Sequence, residues 1–147
     1  MAAGAFTVFN IAKKKLADGT FDLDSHTFKM ILTTSAQSLD ATFAGTSTDC
    51  RYADLTNEVA NGNGYTTGGK TLTCTWTRAT GTLTFDCDDQ AWTTSTITAR
   101  YAVIFDDTDA NDSLLCFCLL DSTPADVSTV SGTLTVTINA SGVFTLA

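Results

Sequence analysis

Residues 70–87 read KTLTCTWTRATGTLTFDC, and this stretch decides the fold class. Threonine occupies every second position of its first half, and apolar residues alternate with polar ones through both halves: Leu72, Cys74, Trp76, Leu83, Phe85 and Cys87. An alternation of period two is typical of β-strands, whose successive side chains point to opposite faces of a sheet. The Thr80-Gly81 pair between the two halves predicts a two-residue hairpin turn.

The same turn fixes a register for the predicted hairpin. With Thr80-Gly81 as the loop, Trp76 faces Phe85 and Cys74 faces Cys87, all on one side of the pleat. A shift of one residue would separate the apolar sets onto opposite faces, which favours this register. We therefore expect Trp76 on the buried face. The two cysteines are either reduced, as small buried hydrophobes, or joined in a cross-strand disulfide.

The rest of the chain also contains segments with the sequence pattern of β-strands. Further alternating or apolar segments predict strands at 28–32, 96–105, 114–120, 134–138 and 143–146. About eight strands with frequent turns favour an all-β, antiparallel β-sandwich or jelly roll, built as a single domain over residues 1–147. We expect one or two short helices, at 12–18 and 51–59, and a tight turn at 61–64.

Two segments are more apolar than a one-sided sheet requires. Leu114–Leu120 is apolar on both faces, so it is covered either twice within the chain or by a partner. Ala5–Ile11 is apolar without clear periodicity and precedes Lys13-Lys14-Lys15. We interpret residues 1–15 as an N-terminal arm that reaches a neighbouring subunit, with a core strand of its own subunit as the alternative. These segments predict a homo-oligomer, for which we expect a trimer.

Composition excludes several classes of protein. Eight basic residues against 16 acidic ones give a net charge of −8, which argues against a partner that is nucleic acid or an anionic membrane. The first residues lack the basic region of a signal peptide, and no apolar run has the length of a membrane span. The 147 residues contain 15 Asp and 29 Thr, which are poor helix formers. We expect a protein made in a cytoplasm and rich in β-structure.

A phosphate-loop pattern occurs in an unsuitable place. Gly64–Thr71 matches G-x-x-x-x-G-K-[ST] letter for letter. Nucleotide binding by this pattern requires a helix directly after the loop, whereas a predicted strand follows here. We interpret the segment as a glycine-rich lead into the hairpin, with no cofactor.

Two clusters of aspartates suggest cation binding only weakly. Residues 107–111 supply the alternating oxygens that open a calcium loop, but Asp112 and Cys118 stand where that loop needs Gly and Glu. We interpret the turn as a solvated hairpin tip, and leave open a cation site formed by its four carboxylates: Asp106, Asp107, Asp109 and Asp112. The same interpretation applies to the second cluster: Asp86, Asp88 and Asp89.

Groups suited to catalysis are few. His26 is the single histidine, no nucleophile motif accompanies it, and the aspartates lack apolar neighbours that would raise a pKa. We therefore predict no catalytic, cofactor-binding or metal-binding residues and no enzymatic activity. Cys50, in a predicted loop, is the best candidate for a bond to another subunit. A carbohydrate-binding module would use an exposed aromatic side chain, for which there are three candidates: Tyr65, Trp76 and Trp92.

Two runs resemble small virion proteins of tailed bacteriophages. They are YADLTNEVANGNGYTTGGKTL at 52–72 and TARYAVIFD at 98–106. In that group an L-x-x-E-V segment, an N-G-Y turn and an A-R-Y-A-V-I strand recur in this order. The resemblance covers residues 50–106 and implies a structural protein of the virion, made in the bacterial host and bound to the major capsid protein or other virion proteins. We expect a capsid decoration protein; a tail, collar or tail-tip component is the alternative.

Overall fold

The computed structural model describes residues 4–147, which form an all-β protein with one α-helix and several antiparallel sheets that do not close into a barrel. The elements follow in chain order: β1 (Thr7–Val8), α1 (Asn10–Ala17), β2 (Phe28–Thr33), a 3-10 turn (Tyr52–Asp54), β3 (Lys70–Thr71), β4 (Cys74–Ala79), β5 (Thr82–Cys87), β6 (Gln90–Ser95), β7 (Thr98–Ala99), β8 (Tyr101–Asp106), β9 (Leu114–Leu119), β10 (Val127–Ser128), β11 (Gly132–Val136) and β12 (Phe144–Leu146). The predicted fold class is confirmed. No helix within residues 4–147 has the length and apolar character to cross a membrane.

The largest sheet has five strands in the order β1-β9-β8-β2-β3. One of its faces packs on a three-stranded sheet, β12-β5-β4, where the rings of Phe28 and Phe85 lie 5.2 Å apart. Its other face is covered by the segment before β3, where Tyr52 stacks on Phe105 at 4.8 Å. Burial on both faces explains why β8 and β9 are apolar at nearly every position. Two smaller sheets, β10-β7 and β11-β6, complete the fold.

The hairpin register is confirmed residue by residue. Trp76 pairs with Phe85 and Cys74 with Cys87 along β4 and β5. Thr80 and Gly81 both have positive φ, 47° and 86°, as a two-residue turn of the primed type requires.

Two predicted long strands are each divided, because each changes partner along its length. Lys70–Thr71 pairs with β2 in the large sheet, whereas the chain from Cys74 onward pairs with β5. Similarly, β7 pairs with β10, and β8 pairs with β2 after a break at Arg100. Hydrophobic alternation reports which face is buried and carries no information on the partner, so the sequence showed each as one strand.

The predicted helix at 51–59 is wrong. Only Tyr52–Asp54 is helical, as a single 3-10 turn, and the chain then extends. Its backbone bonds to the end of β2 instead: the Val59 N–H donates to the Leu32 carbonyl and the Thr34 N–H to the Asn57 carbonyl, both at 2.9 Å. Tertiary hydrogen bonds therefore override the helical spacing of the apolar residues.

The N-terminal segment packs on its own subunit. β1 pairs with β9, and Phe9 is fully buried 5.0 Å from the ring of Phe117. The expected helix at 12–18 is present as α1. Within Ala5–Ile11 the chain thus packs on its own subunit as a short edge strand followed by the buried Phe9, which is closer to the strand alternative than to a free arm. Residues 1–3 of the predicted arm lie outside the described part of the chain.

Candidate functional site

The acidic turn between β8 and β9 is bonded to itself and to the only histidine. Asp106 is fully buried, and its Oδ1 accepts the N–H groups of Thr108 and Asp109 at 2.9 and 3.1 Å. Its Oδ2 lies 2.6 Å from Nδ1 of His26. Asp106 therefore closes the turn and ties it to the residues before β2, instead of pointing into solvent.

The other carboxylates of this turn do not converge. Asp107 pairs with Lys29 at 2.9 Å, and Asp109 accepts a hydrogen bond from the Ser113 hydroxyl. Burial, together with the charges of Asp107 and Asp109, raises the pKa of Asp112. Within residues 4–147, no group of three or more His, Cys, Asp or Glu side chains is arranged to hold a metal ion. The structure therefore gives the open cation-site alternative no support.

A serine–lysine pair, which the sequence analysis missed, lies beside this turn. Lys15 Nζ is 2.6 Å from Ser113 Oγ and 3.0 Å from the Asp49 carbonyl oxygen. Ser113 is fully buried and its hydroxyl donates to Asp109, so it is not available as a nucleophile. The pair anchors α1 to two loops. Because its members are 98 positions apart in the sequence, no local signal could have revealed it.

The glycine-rich segment is followed by a strand, as expected, but that strand is β3, which pairs with β2 before the hairpin begins at Cys74. Lys70 Nζ donates to the Ala91 carbonyl at 2.6 Å and lies 5.5 Å from the centre of the Trp92 ring. A Cβ on Gly69 would come within 2.0 Å of the Met30 carbonyl oxygen, and its φ is +70°. The glycine thus permits a close approach of two backbones, and the half-buried lysine is held against Ala91 and Trp92.

A network around the only glutamate was also missed. Glu58 Oε1 accepts hydrogen bonds from the Tyr65 hydroxyl at 2.7 Å and the Gly68 N–H at 2.8 Å, and Oε2 accepts one from the Tyr52 hydroxyl at 2.5 Å. Burial, reinforced by Glu58, raises the pKa of both phenols. The network joins distant parts of residues 51–69, which we call the strap, and the Leu32 N–H donates to the Tyr65 hydroxyl at 3.1 Å, which ties the strap to β2 of the large sheet.

The cysteines divide into one pair and three thiols. Cys74 and Cys87 form a disulfide across the hairpin, with Cα atoms 4.0 Å apart. The expectation for Cys50 is wrong, because it is buried out of reach of another subunit. Cys116 and Cys118 are likewise free and buried in β9. Burial raises the pKa of Cys50 and Cys118 to about 12, so neither is a reactive thiolate near neutral pH.

Of the three aromatic candidates, only Trp76 reaches the surface. Trp92 and Tyr65 are 1% and 2% exposed, which removes both as sugar platforms. Trp76 is half-buried and lies at the end of a groove of about 480 Å³. The groove is lined by apolar side chains and two acids: Leu16, Gly19, Phe21, Asp22, Leu23, Asp24, Trp76, Leu83 and Leu146. This groove, which we call the Trp76 groove, is the candidate functional site.

Comparison with known proteins adds no relative. No family model, no curated protein and no solved structure matches the chain.

Proposed function

We propose that the protein is a structural component of a tailed-bacteriophage virion, bound as a decoration protein to the outer surface of the head with the major capsid protein as its partner. The proposal starts from the resemblance carried by residues 52–72 and 98–106. It also fits the contacts described above, in which the buried polar side chains hold loops in place.

The observation that carries the proposal is the structural role of the residues in the two resembling runs. In the first run, Tyr52, Glu58 and Tyr65 form the network that holds the strap together, and Gly69 permits the approach of the strap to β2. The second run includes β8, the central strand of the large sheet. These residues determine a scaffold, so a likeness in them is a likeness in architecture, as expected for proteins that work by assembly.

The acidic character suits a place on a shell that encloses DNA. A net charge of −8 repels nucleic acid and leaves the protein free to bind protein surfaces. The expected trimer loses the support it had from Leu114–Leu120, which is covered within one chain. In Ala5–Ile11 only Phe9 is buried, and the other apolar side chains are half-buried or exposed. The proposed partner is therefore the shell itself.

The copy number of the protein in purified virions tests the proposal. A decoration protein is expected in hundreds of copies per particle on a quantified gel, with gold-labelled antibodies on the head in electron micrographs. A handful of copies, or label on the tail, would indicate a tail or tail-tip component instead. Absence from purified particles would refute a virion role altogether.

A carbohydrate-binding module is the second candidate, and one observation keeps it in consideration. Trp76 is partly exposed in a groove that is also lined by Asp22 and Asp24. An aromatic ring can contact the face of a sugar, and carboxylates can accept hydrogen bonds from its hydroxyl groups. Binding on a glycan array that is lost in Trp76→Thr would favour this function.

A further inference from the structure

One strand of the three-stranded sheet has an open edge. β4 pairs with β5, and no other strand within residues 4–147 pairs with it. The residues that flank a two-residue hairpin loop, here Ala79 and Thr82, exchange backbone hydrogen bonds, and bonded positions then alternate along the strand. The bond from Asp88 N–H to the Thr73 carbonyl, 2.9 Å, fits that alternation. The backbone groups that point away from β5 therefore belong to Cys74, Trp76 and Arg78.

Exposed apolar surface lies next to this edge. The Trp76 groove crosses the inner face of the same sheet, from Leu146 on β12 through Leu83 on β5 to Trp76 on β4. Leu146 is 44% exposed and is one of two large apolar side chains exposed among the described residues. An open strand edge beside exposed apolar side chains is the combination that an added strand covers.

The charge of the groove selects the kind of partner. Asp22 and Asp24 are exposed on its rim, and none of its lining residues is basic. Arg78 is exposed further along β4 and does not line it. A second copy of this chain would bring another pair of carboxylates to the same place, and like charges in apposition oppose association. A segment carrying Lys or Arg would be attracted.

The polar groups favour a peptide over a sugar. Both oxygens of Asp22 already accept hydrogen bonds within the loop, from the Asp24 N–H at 3.1 Å and from the Ser25 N–H and hydroxyl at 3.2 and 2.6 Å. The other walls are mainly aliphatic or aromatic. A sugar needs several free side-chain partners, whereas an extended peptide draws its hydrogen bonds from the strand edge.

We infer that β4 and the Trp76 groove dock an extended segment of another protein, which adds to β4 as a fourth strand. The segment places apolar side chains in the groove and a Lys or Arg side chain opposite Asp22 and Asp24. The identity of the partner, a capsid protein, rests on the proposed function, whereas the chemistry of the segment does not.

Selection from a random library of displayed octapeptides against the purified protein tests this inference. We expect enriched peptides to alternate apolar residues with Lys or Arg. Their Kd should rise at least tenfold in Asp22→Asn/Asp24→Asn and in Trp76→Thr. The control Asp40→Asn/Asp121→Asn removes two charges outside the groove and keeps the Oδ1 acceptor that each turn uses, so it should change Kd less than twofold.

A second measurement does not depend on the folding of any variant. Methylating alternate backbone nitrogens of the best peptide removes the donors that pair with β4, so binding to the unaltered protein should fall at least tenfold. No enrichment of basic peptides, or equal binding of the methylated peptide, would overturn the inference, as would glycan binding that Trp76→Thr abolishes. Particle association that survives the groove variants would leave the decoration role intact and refute this surface alone.

Discussion

The hairpin at 70–87 and the strap at 51–69 are neighbours in the chain and are stabilised in different ways. The hairpin is held by local features: alternating side chains, a two-residue turn and a disulfide between Cys74 and Cys87. The strap has no strand partner over most of its length. Hydrogen bonds to two of its own carboxylates, Asp54 and Glu58, hold its parts together, and a few backbone bonds tie it to the end of β2. Segments of the first kind can be predicted from sequence, whereas those of the second kind depend on contacts that only the folded chain creates.

The largest expected loss of stability comes from replacing a glycine of the strap. Gly69→Ala places a methyl group against the Met30 carbonyl and should destabilise the protein by about 4 kcal/mol or more. Gly68→Ala is the matched control, because Gly68 also has positive φ but no atom within 4 Å of an added Cβ. It should cost about 1–2 kcal/mol. Urea unfolding measures both; equal losses would show that the close approach to β2 is absent.

The next effect concerns the covalent link of the hairpin. Removing the disulfide, which joins residues 13 apart, with Cys74→Ser/Cys87→Ser should cost about 3 kcal/mol. A reductant should lower the stability of the unaltered protein similarly and leave the double variant unchanged.

A thiol count checks the pairing directly. The denatured, unreduced protein should show three free thiols, since five cysteines include one bonded pair. Five free thiols would mean that the hairpin relies on pairing and packing alone.

Glu58 provides the corresponding test in the strap. Glu58→Ala removes the acceptor for three hydrogen bonds and leaves the buried Tyr65 hydroxyl without one, so we expect a loss of about 2–3 kcal/mol. Glu58→Gln keeps one acceptor oxygen, so its loss of stability should be smaller. If the two variants were equally stable, the hydrogen-bonded network would contribute little to holding the strap.

The smallest effect is a pH dependence. Burial alone would raise the pKa of Asp54, but hydrogen bonds from the Ser47 hydroxyl and from the Arg51 and Ser47 N–H groups outweigh it and lower that pKa to about 2. A lowered pKa stabilises the fold above the ordinary value of 3.8, and the contribution is lost as pH falls through about 2. Asp54→Ala should therefore cost about 1–2 kcal/mol at pH 7 and progressively less in acid.

Asp112 serves as the control, because its pKa is shifted in the opposite direction. Because its pKa is raised, its charge opposes folding as pH rises past that pKa. Asp112→Asn should be neutral or slightly stabilising at pH 7, and its difference from the unaltered protein should vanish in acid. If the stability changes of Asp54→Ala and Asp112→Asn varied with pH in the same direction, the conclusion that one carboxylate stabilises the fold and the other opposes it would be contradicted.

The sequence by itself determined the β-class of the fold, the hairpin with its register, and the need to cover both faces of 114–120. Each follows from side-chain periodicity or turn chemistry within a short window, and these act wherever the segment lies. Tertiary structure decided the rest: the partner changes that divide 70–78 and 96–105, the extended strap in place of a helix, and the burial of Trp92 and Tyr65 beside a half-exposed Trp76. These features depend on contacts between residues far apart in the chain, as do the Lys15–Ser113 and His26–Asp106 pairs, and no local pattern indicates which distant residue a segment will contact.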